Sequence, residues 1–161
     1  MSGTPRAGRR GVAASPAAFD LGRFLPYLIN RAGARLAAAF SAEIARYGIE
    51  LQEWRVLAAL LARGPCRLGD LAALTSIEIS TLSRLVGRMT RARLVDRVRE
   101  EGDRRAVQVS LSLRGRQVAT EIVPLAHRYD ALALAGFGTR EAEQLRAMLA
   151  RVFRNLDGLP R

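Results

Sequence analysis

Between Ile79 and Arg91 the chain sets Ser80, Thr81, Ser83, Arg84, Arg88 and Arg91 among Leu82, Leu85, Val86 and Met89. The four apolar residues fall at i, i+3, i+4 and i+7, the stripe by which a helix buries one side. Hydroxyls and guanidinium groups are thereby left on the opposite face, short side chains near its start and long charged ones further along. Such a face does recognition chemistry. Its hydroxyls and Arg84 suit the base edges of a major groove about 12 Å wide, while Arg88 and Arg91 suit phosphates, which position without specifying. A merely solvated face would mix Glu with Arg, yet after Glu78 no acid occurs until Asp96.

A reading face needs elements that present it. Upstream, Leu68–Leu74 predicts a short helix and Thr75–Ile77 a turn, so the segment reads as helix-turn-helix, with the second helix at 79–91. Downstream the period changes from 3.6 to 2: Val107, Val109 and Leu111 alternate with Ala106, Gln108 and Ser110, as in a half-buried strand. Leu94–Arg99 is its expected partner, and Glu100 to Arg105, EEGDRR, the expected loop of a basic hairpin.

The flanks read as helices. Leu21, Phe24, Leu25, Leu28, Ile29, Leu36, Phe40 and Ile44 predict a long one over 21–47, with Pro26 in its first turn and Gly48 ending it. Trp54, Val56, Leu57, Leu60 and Leu61 predict a second over 52–63. Ser112 is placed as the cap of a helix from Leu113 to about Leu134, kinked at Pro124. Thr139 is placed as the cap of a last helix with Leu145, Met148, Leu149, Val152, Phe153 and Leu156 on one stripe. The expected fold is mainly α with a small β wing: a flexible basic tail (1–19), an N-terminal dimerisation helix (20–50), a winged helix-turn-helix (51–112) and C-terminal dimerisation helices (113–158). The first and last helices exceed what a compact winged helix needs, and a second copy of the chain is the simplest cover for their stripes, which implies a homodimer.

Charge supports a nucleic-acid partner. The 161 residues carry 26 basic and 15 acidic side chains, formally +11, and every basic one is arginine. That bias, with abundant Ala, Leu and Gly, reflects GC-rich coding, so placement carries more weight than number. Residues 84–116 hold ten arginines against four acids, a local +6, leaving +5 for all the rest. This is the footprint of a phosphate-binding surface. A membrane-surface helix would pair its basic face with bulky aromatic anchors, which are missing. The first twenty residues lack the apolar core of a secretory signal. No run approaches the roughly 20 apolar residues of a membrane span. Cys66, the one cysteine, forms no internal disulfide and fits a reducing cytoplasm. His127, the one histidine, makes no metal site, and no Gly-rich phosphate loop or nucleophile–base pair points to an enzyme.

The run from Leu71 to Arg116, LAALTSIEISTLSRLVGRMTRARLVDRVREEGDRRAVQVSLSLRGR, resembles the winged helix of MarR-type bacterial transcription regulators. Its most specific element is Asp103-Arg104-Arg105, matching that family's Asp-x-Arg wing motif, followed by alternating valines and Leu-Ser-x-x-Gly-Arg. The resemblance implies that Asp103 orients the wing arginines and that Arg105 enters the minor groove, favouring narrow A·T-rich tracts. Two positions depart from the pattern. Arg93 stands where the family has glycine, and Glu78 where Ser, Thr or Asp is the commoner cap.

The resemblance also implies release from DNA by a small aromatic or phenolic acid. Arg23, Tyr27, Asn30 and Arg31, with Trp54 and Arg55, offer the cation and rings that such a ligand needs. Tyr27 and Trp54 serve equally as ordinary core. Redox sensing through Cys66 is an alternative, as are a non-sequence-specific architectural DNA binder and a winged helix used for protein contacts. No cofactor is implied.

Overall fold

The structure, a computed structural model, describes residues 19–100 and 103–156, and of these 98–100 and 103–107 by backbone alone. The expected basic tail, 1–19, lies outside the described residues but for Phe19. The chain divides between Ala34 and Arg35 into two compact units.

In the first unit Asp20 caps a 3-10 turn, Leu21–Arg23, its carboxylate accepting from Gly22 N at 2.9 Å. Helix α1, Leu25–Ile44, starts directly after, with Pro26 in its first turn, where an absent N–H leaves no bond unmade. Leu21, Phe24, Leu25, Leu28 and Ile29 are all exposed.

The second unit takes up α1 from Arg35. A 3-10 turn, Ala45–Tyr47, follows the helix, and Gly48 ends it in the left-handed conformation at φ 68°, as its sequence position predicts. Then come α2 (Leu51–Arg63), β1 (Cys66–Arg67), α3 (Leu68–Thr75), α4 (Ile79–Arg91), β2 (Val95–Glu100), β3 (Asp103–Leu111), α5 (Leu113–Ala133) and α6 (Thr139–Asn155). The sheet is antiparallel in the order β1-β3-β2. Strand β1 has no signature in the sequence; its two residues become a strand only by pairing with Val109 and Gln108. The hairpin is longer than the alternation of apolar residues indicates. Glu100 still belongs to β2 and Asp103 already to β3, because a backbone ladder extends beyond the core without apolar side chains.

Leu57, Leu60, Leu71, Leu82, Leu85, Val86, Met89, Val95, Val109 and Ile122 form the fully buried centre. Phe40 packs at 5.7 Å from Trp54 and 5.4 Å from Tyr129 between ring centroids, and the Tyr129 hydroxyl donates to Ala39 O at 3.1 Å. Helix α5 continues unbroken across Pro124. At α6 the cap is Gly138 rather than Thr139, which is the first helical residue; the Glu141 carboxylate accepts from Gly138 N at 2.7 Å. Glu141 thus reaches back to the donor that a Thr139 cap would have left open. Helix α6 buries none of its residues, and Met148, Leu149, Phe153 and Leu156 stand exposed.

The start of α5 packs backbone to backbone on the segment after α4. Ser112 Oγ accepts from Gly115 N at 2.9 Å and donates to Arg93 O at 2.6 Å. A Cβ on Gly115 would lie 1.8 Å from Leu94 O. Only glycine permits that approach, and the obstacle is backbone, which cannot swing aside. Gly115→Ala is expected to destabilise the fold by about 3 kcal/mol, read as a lowered denaturant midpoint; a change under about 0.5 kcal/mol would show that the junction yields.

Candidate nucleic-acid interface

Helix α4 sits as its pattern requires. Leu82, Leu85, Val86 and Met89 are wholly buried. Ser80, Arg84, Arg88 and Arg91 are exposed, and Thr81, Ser83 and Gly87 half-buried at the margins of that face. Helix α3 ends one residue later than expected, at Thr75, whose hydroxyl donates back to Leu71 O at 2.7 Å. Ser76 makes the turn in the left-handed region at φ 53°.

Glu78 caps α4. Its carboxylate accepts from Ser80 N at 2.9 Å, from Thr81 N at 3.0 Å and from the Ser80 hydroxyl. The Ser80 hydroxyl first, and then the two backbone N–H groups, hold the carboxyl down at about 2. The acid that departs from the family pattern therefore does a cap's work with a longer side chain. Sequence reasoning missed this because Glu is a poor cap on average. Its position directly before an uncharged first turn was the available signal.

The arginines of this face are lightly held. Arg84 Nη2 lies 3.5 Å from Thr81 Oγ1, and Arg91 Nε donates to Gly87 O at 3.4 Å. Arg88 faces Glu50 at 3.9 Å, with both side chains well exposed. A surface pair of that kind contributes little, so a phosphate competes with it easily.

Asp103, Arg104 and Arg105 open strand β3; their side chains lie outside the described residues. Between Arg99 and Glu100 the register jumps from Val107 to Asp103, so 104–106 fall at the irregularity. The wing's root is described in full. Arg93 occupies the left-handed region at φ 58°, the conformation for which the family's glycine is suited. Arg93 N donates to Thr90 O at 3.0 Å and Leu94 N to Met89 O at 2.9 Å. Arg114 Nη1 donates to Ala92 O at 3.3 Å. Together with Ser112 these bonds tie the exit of α4 to the entry of α5.

The candidate ligand residues fall in both units of the chain. Arg23 ends the first 3-10 turn and Asn30 is exposed on α1. Tyr27 is half-buried, with the Arg31 guanidinium 5.9 Å from its ring centroid and 3.4 Å from its hydroxyl. Trp54 belongs to the second unit, half-buried against Phe40; Arg55 is exposed on α2. Within the second unit a cleft of about 680 Å³ opens between the α3–α4 turn and the end of α6, with Ile77, Glu78, Ile79, Phe153 and Leu156 on its walls. Cys66 donates its thiol to Gly64 O at 3.2 Å, and burial, reinforced by Asp70 and opposed by Arg63, pushes it above the usual thiol range. That is the reverse of an activated cysteine. His127 is exposed on α5. Among the described residues no three His, Cys, Asp or Glu side chains gather to hold a metal, and no helix is long and apolar enough to cross a membrane.

A buried stripe, a basic polar face opposite it and a pinned hairpin beside it make a winged-helix DNA-reading head. Comparison with known proteins agrees. A sequence model of the MarR family matches residues 47–106. The crystal structure of a "probable transcriptional regulator" from Pseudomonas aeruginosa is 31% identical and superposes with a TM-score of 0.73 over 83% of this chain and 99% of that one. The Bordetella bronchiseptica regulator BpsR, whose DNA binding is regulated by 6-hydroxynicotinic acid, is 27% identical with a TM-score of 0.72 over 80% and 97% of the two chains. The transcriptional repressor IacR of Pseudomonas putida is 24% identical over 133 residues, 83% of this chain and 80% of that protein. The chain belongs to the MarR family of winged-helix DNA-binding transcriptional regulators, and is not an enzyme.

Two outcomes follow from this geometry. Because Glu78 titrates below its ordinary value of 4.5, its contribution to stability is complete above about pH 4.5 and is lost as pH falls toward 2. Glu78→Gln should therefore be less stable than the parent at pH 7, with the gap closing as pH approaches 2; thermal melts showing a pH-independent gap would count against the cap. Arg93→Gly removes left-handed strain and should raise stability by about 1 kcal/mol in denaturant titration, whereas a loss would show that the Arg93 side chain holds the turn.

Proposed function

We propose that the protein is a ligand-responsive repressor that binds a pseudo-palindromic operator as a homodimer. Each subunit lays α4 in a major groove, with Ser80, Thr81, Ser83 and Arg84 toward base edges and Arg88 on phosphate. The wing lies in the adjacent minor groove, Arg105 inserted and oriented by Asp103, with Arg104 beside it. Half-sites are then about one helical turn apart. The observation that carries this reading is the outer face of α4, which holds three arginines and three hydroxyls and no acid after its cap.

The dimer rests on uncovered apolar surface. Leu25, Leu28, Ile29 and Leu36 on α1, and Met148, Leu149, Phe153 and Leu156 on α6, are exposed in the single chain, and stripes of this size are covered in a working protein. Residues 20–50 and 113–158 then carry dimerisation, and 51–112 DNA reading. The release ligand is a small aromatic or phenolic acid, the class to which BpsR's 6-hydroxynicotinic acid belongs. Arg23, Tyr27, Asn30 and Trp54 are its candidate residues, a cation, two rings and an amide of the chemical type such a ligand needs. The regulator acts in the cytoplasm, where its DNA is.

Replacing Arg105 with Ala should weaken binding to a selected operator by about tenfold or more, with the dimer intact by light scattering. An aromatic acid such as 6-hydroxynicotinic acid should raise the operator Kd of the parent. Equal affinity for operator and random duplex, with a steep salt dependence, would make the protein an architectural binder instead.

A further inference from the structure

The cap of α4 does more than finish a helix. A serine hydroxyl has one hydrogen and two lone pairs, and when free it rotates to donate or accept as its neighbour requires. Ser80 is not free. An ionised carboxylate has no proton to give, so the hydrogen between Ser80 Oγ and Glu78 Oε2 is the serine's, and it points back at the cap. What remains on the outer side of Ser80 is lone pairs. Glu78 offers about four acceptor positions; Ser80 N, Thr81 N and Ser80 Oγ take three, and the Thr81 hydroxyl bears weakly on the carboxylate as well. Both residues are exposed, so the Ser80 lone pairs and the charged carboxylate beside them, neither with a hydrogen to offer outward, are open to what α4 meets.

We infer that Glu78 and Ser80 form an acceptor-only surface that reads an exocyclic amino group, cytosine N4 or adenine N6, in the major groove. This rests on the reading of α4 as the helix that enters the groove. In that groove guanine presents O6 and N7, and thymine O4, all acceptors. Set against Ser80 and Glu78 they bring lone pairs to lone pairs, with the cost of unpaired polar groups on both sides. Cytosine N4 and adenine N6 are donors and complete the pairing. One turn along the same face, Arg84 is the opposite case: a guanidinium has five donors and no acceptor, and one is directed to Thr81 Oγ1. The helix thus presents an acceptor end at Glu78–Ser80 and a donor end at Arg84, a polarity that fixes which base edge each end can meet. The low titration range of Glu78 keeps the carboxylate charged, and the serine hydrogen turned inward, at neutral pH. Glu78 is then a specificity-determining residue that acts both directly and by fixing Ser80.

The test uses the full-length chain and duplex selected from a random library. Each cytosine and adenine of the half-site is replaced in turn by an analogue lacking only the amino group, 2-pyrimidinone or purine, and Kd is measured at fixed salt. One position per half-site should cost the parent about tenfold and cost Ser80→Ala and Glu78→Gln less than about threefold, with the other positions unchanged between proteins. Ser80→Ala leaves the cap's two backbone bonds in place, so a folding defect in Glu78→Gln does not decide the result. If no position's cost depends on residue 78 or 80, the inference is overturned while the regulator reading stands. If selection enriches no sequence at all, the sequence-specific reading falls and takes this inference with it.

Discussion

Burial of the apolar side of α4 is the constraint from which the rest of this protein follows. Leu82, Leu85, Val86 and Met89 are removed from water completely, each worth roughly 1.5–3 kcal/mol relative to exposure. That commitment fixes the rotation of the helix about its axis. Once the rotation is fixed, Ser80, Arg84, Arg88 and Arg91 have no choice but to face outward. A slip of one position toward the start of the helix would turn it by about 100°, bring Arg84 and Arg88 inward without partners and expose Leu82, Val86 and Met89. The reading face is therefore specified by the core rather than by anything in the face itself.

The same logic sets the wing. Val95 and Val109 are buried in the core that takes α4, and the chain must pass from helix to strand within Ala92–Leu94. It does so with Arg93 in a conformation that L-residues seldom adopt, at a cost of about 1–2 kcal/mol. The surrounding bonds make that cost tolerable: Ser112 and Arg114 hold the carbonyls of Arg93 and Ala92, and Gly115 lets Leu94 O approach the first turn of α5. Helix α5 is thus joined to the wing root by its first turn. A displacement of α5 would be felt at the exit of the reading helix without passing through the hydrophobic core, which is the kind of coupling that the proposed ligand control would require.

How much of this was legible in the sequence depended on whether the deciding interaction was local. Helix α4 was readable to its end residues, because its amphipathic period and its flanking turn are written in thirteen consecutive positions. Gly48, Ser112 and Pro26 were equally local. Strand β1 was not readable, since Cys66 and Arg67 become a strand only through Val109 and Gln108, some forty residues on. The extent of the hairpin was hidden for a related reason: hydropathy alternation marks where a ladder touches the core, not where it stops. Glu78 was visible as an anomaly, yet its meaning lay in three donors that only the folded turn brings to one carboxylate. The candidate ligand residues were chosen by chemical type, and type alone says nothing of how side chains from separate helices are arranged.

The outer helices pose the opposite problem to α4. Helix α6 carries as clear a stripe as any in the chain, yet buries none of it, and α1 leaves Leu25, Leu28, Ile29 and Leu36 in water. An amphipathic helix owes most of its stability to the packing of its apolar face rather than to propensity, so these two are the elements whose order depends most on what covers them. The ion pair between α6 and α5, Arg146 with Asp130 at 2.7 Å, lies on exposed side chains and contributes little by itself. The part that reads DNA therefore carries its own core, while in the proposed homodimer the outer helices would borrow theirs from the second copy. On the proposed reading, that division would let a ligand alter spacing through the borrowed surface and leave the reading face of each head intact.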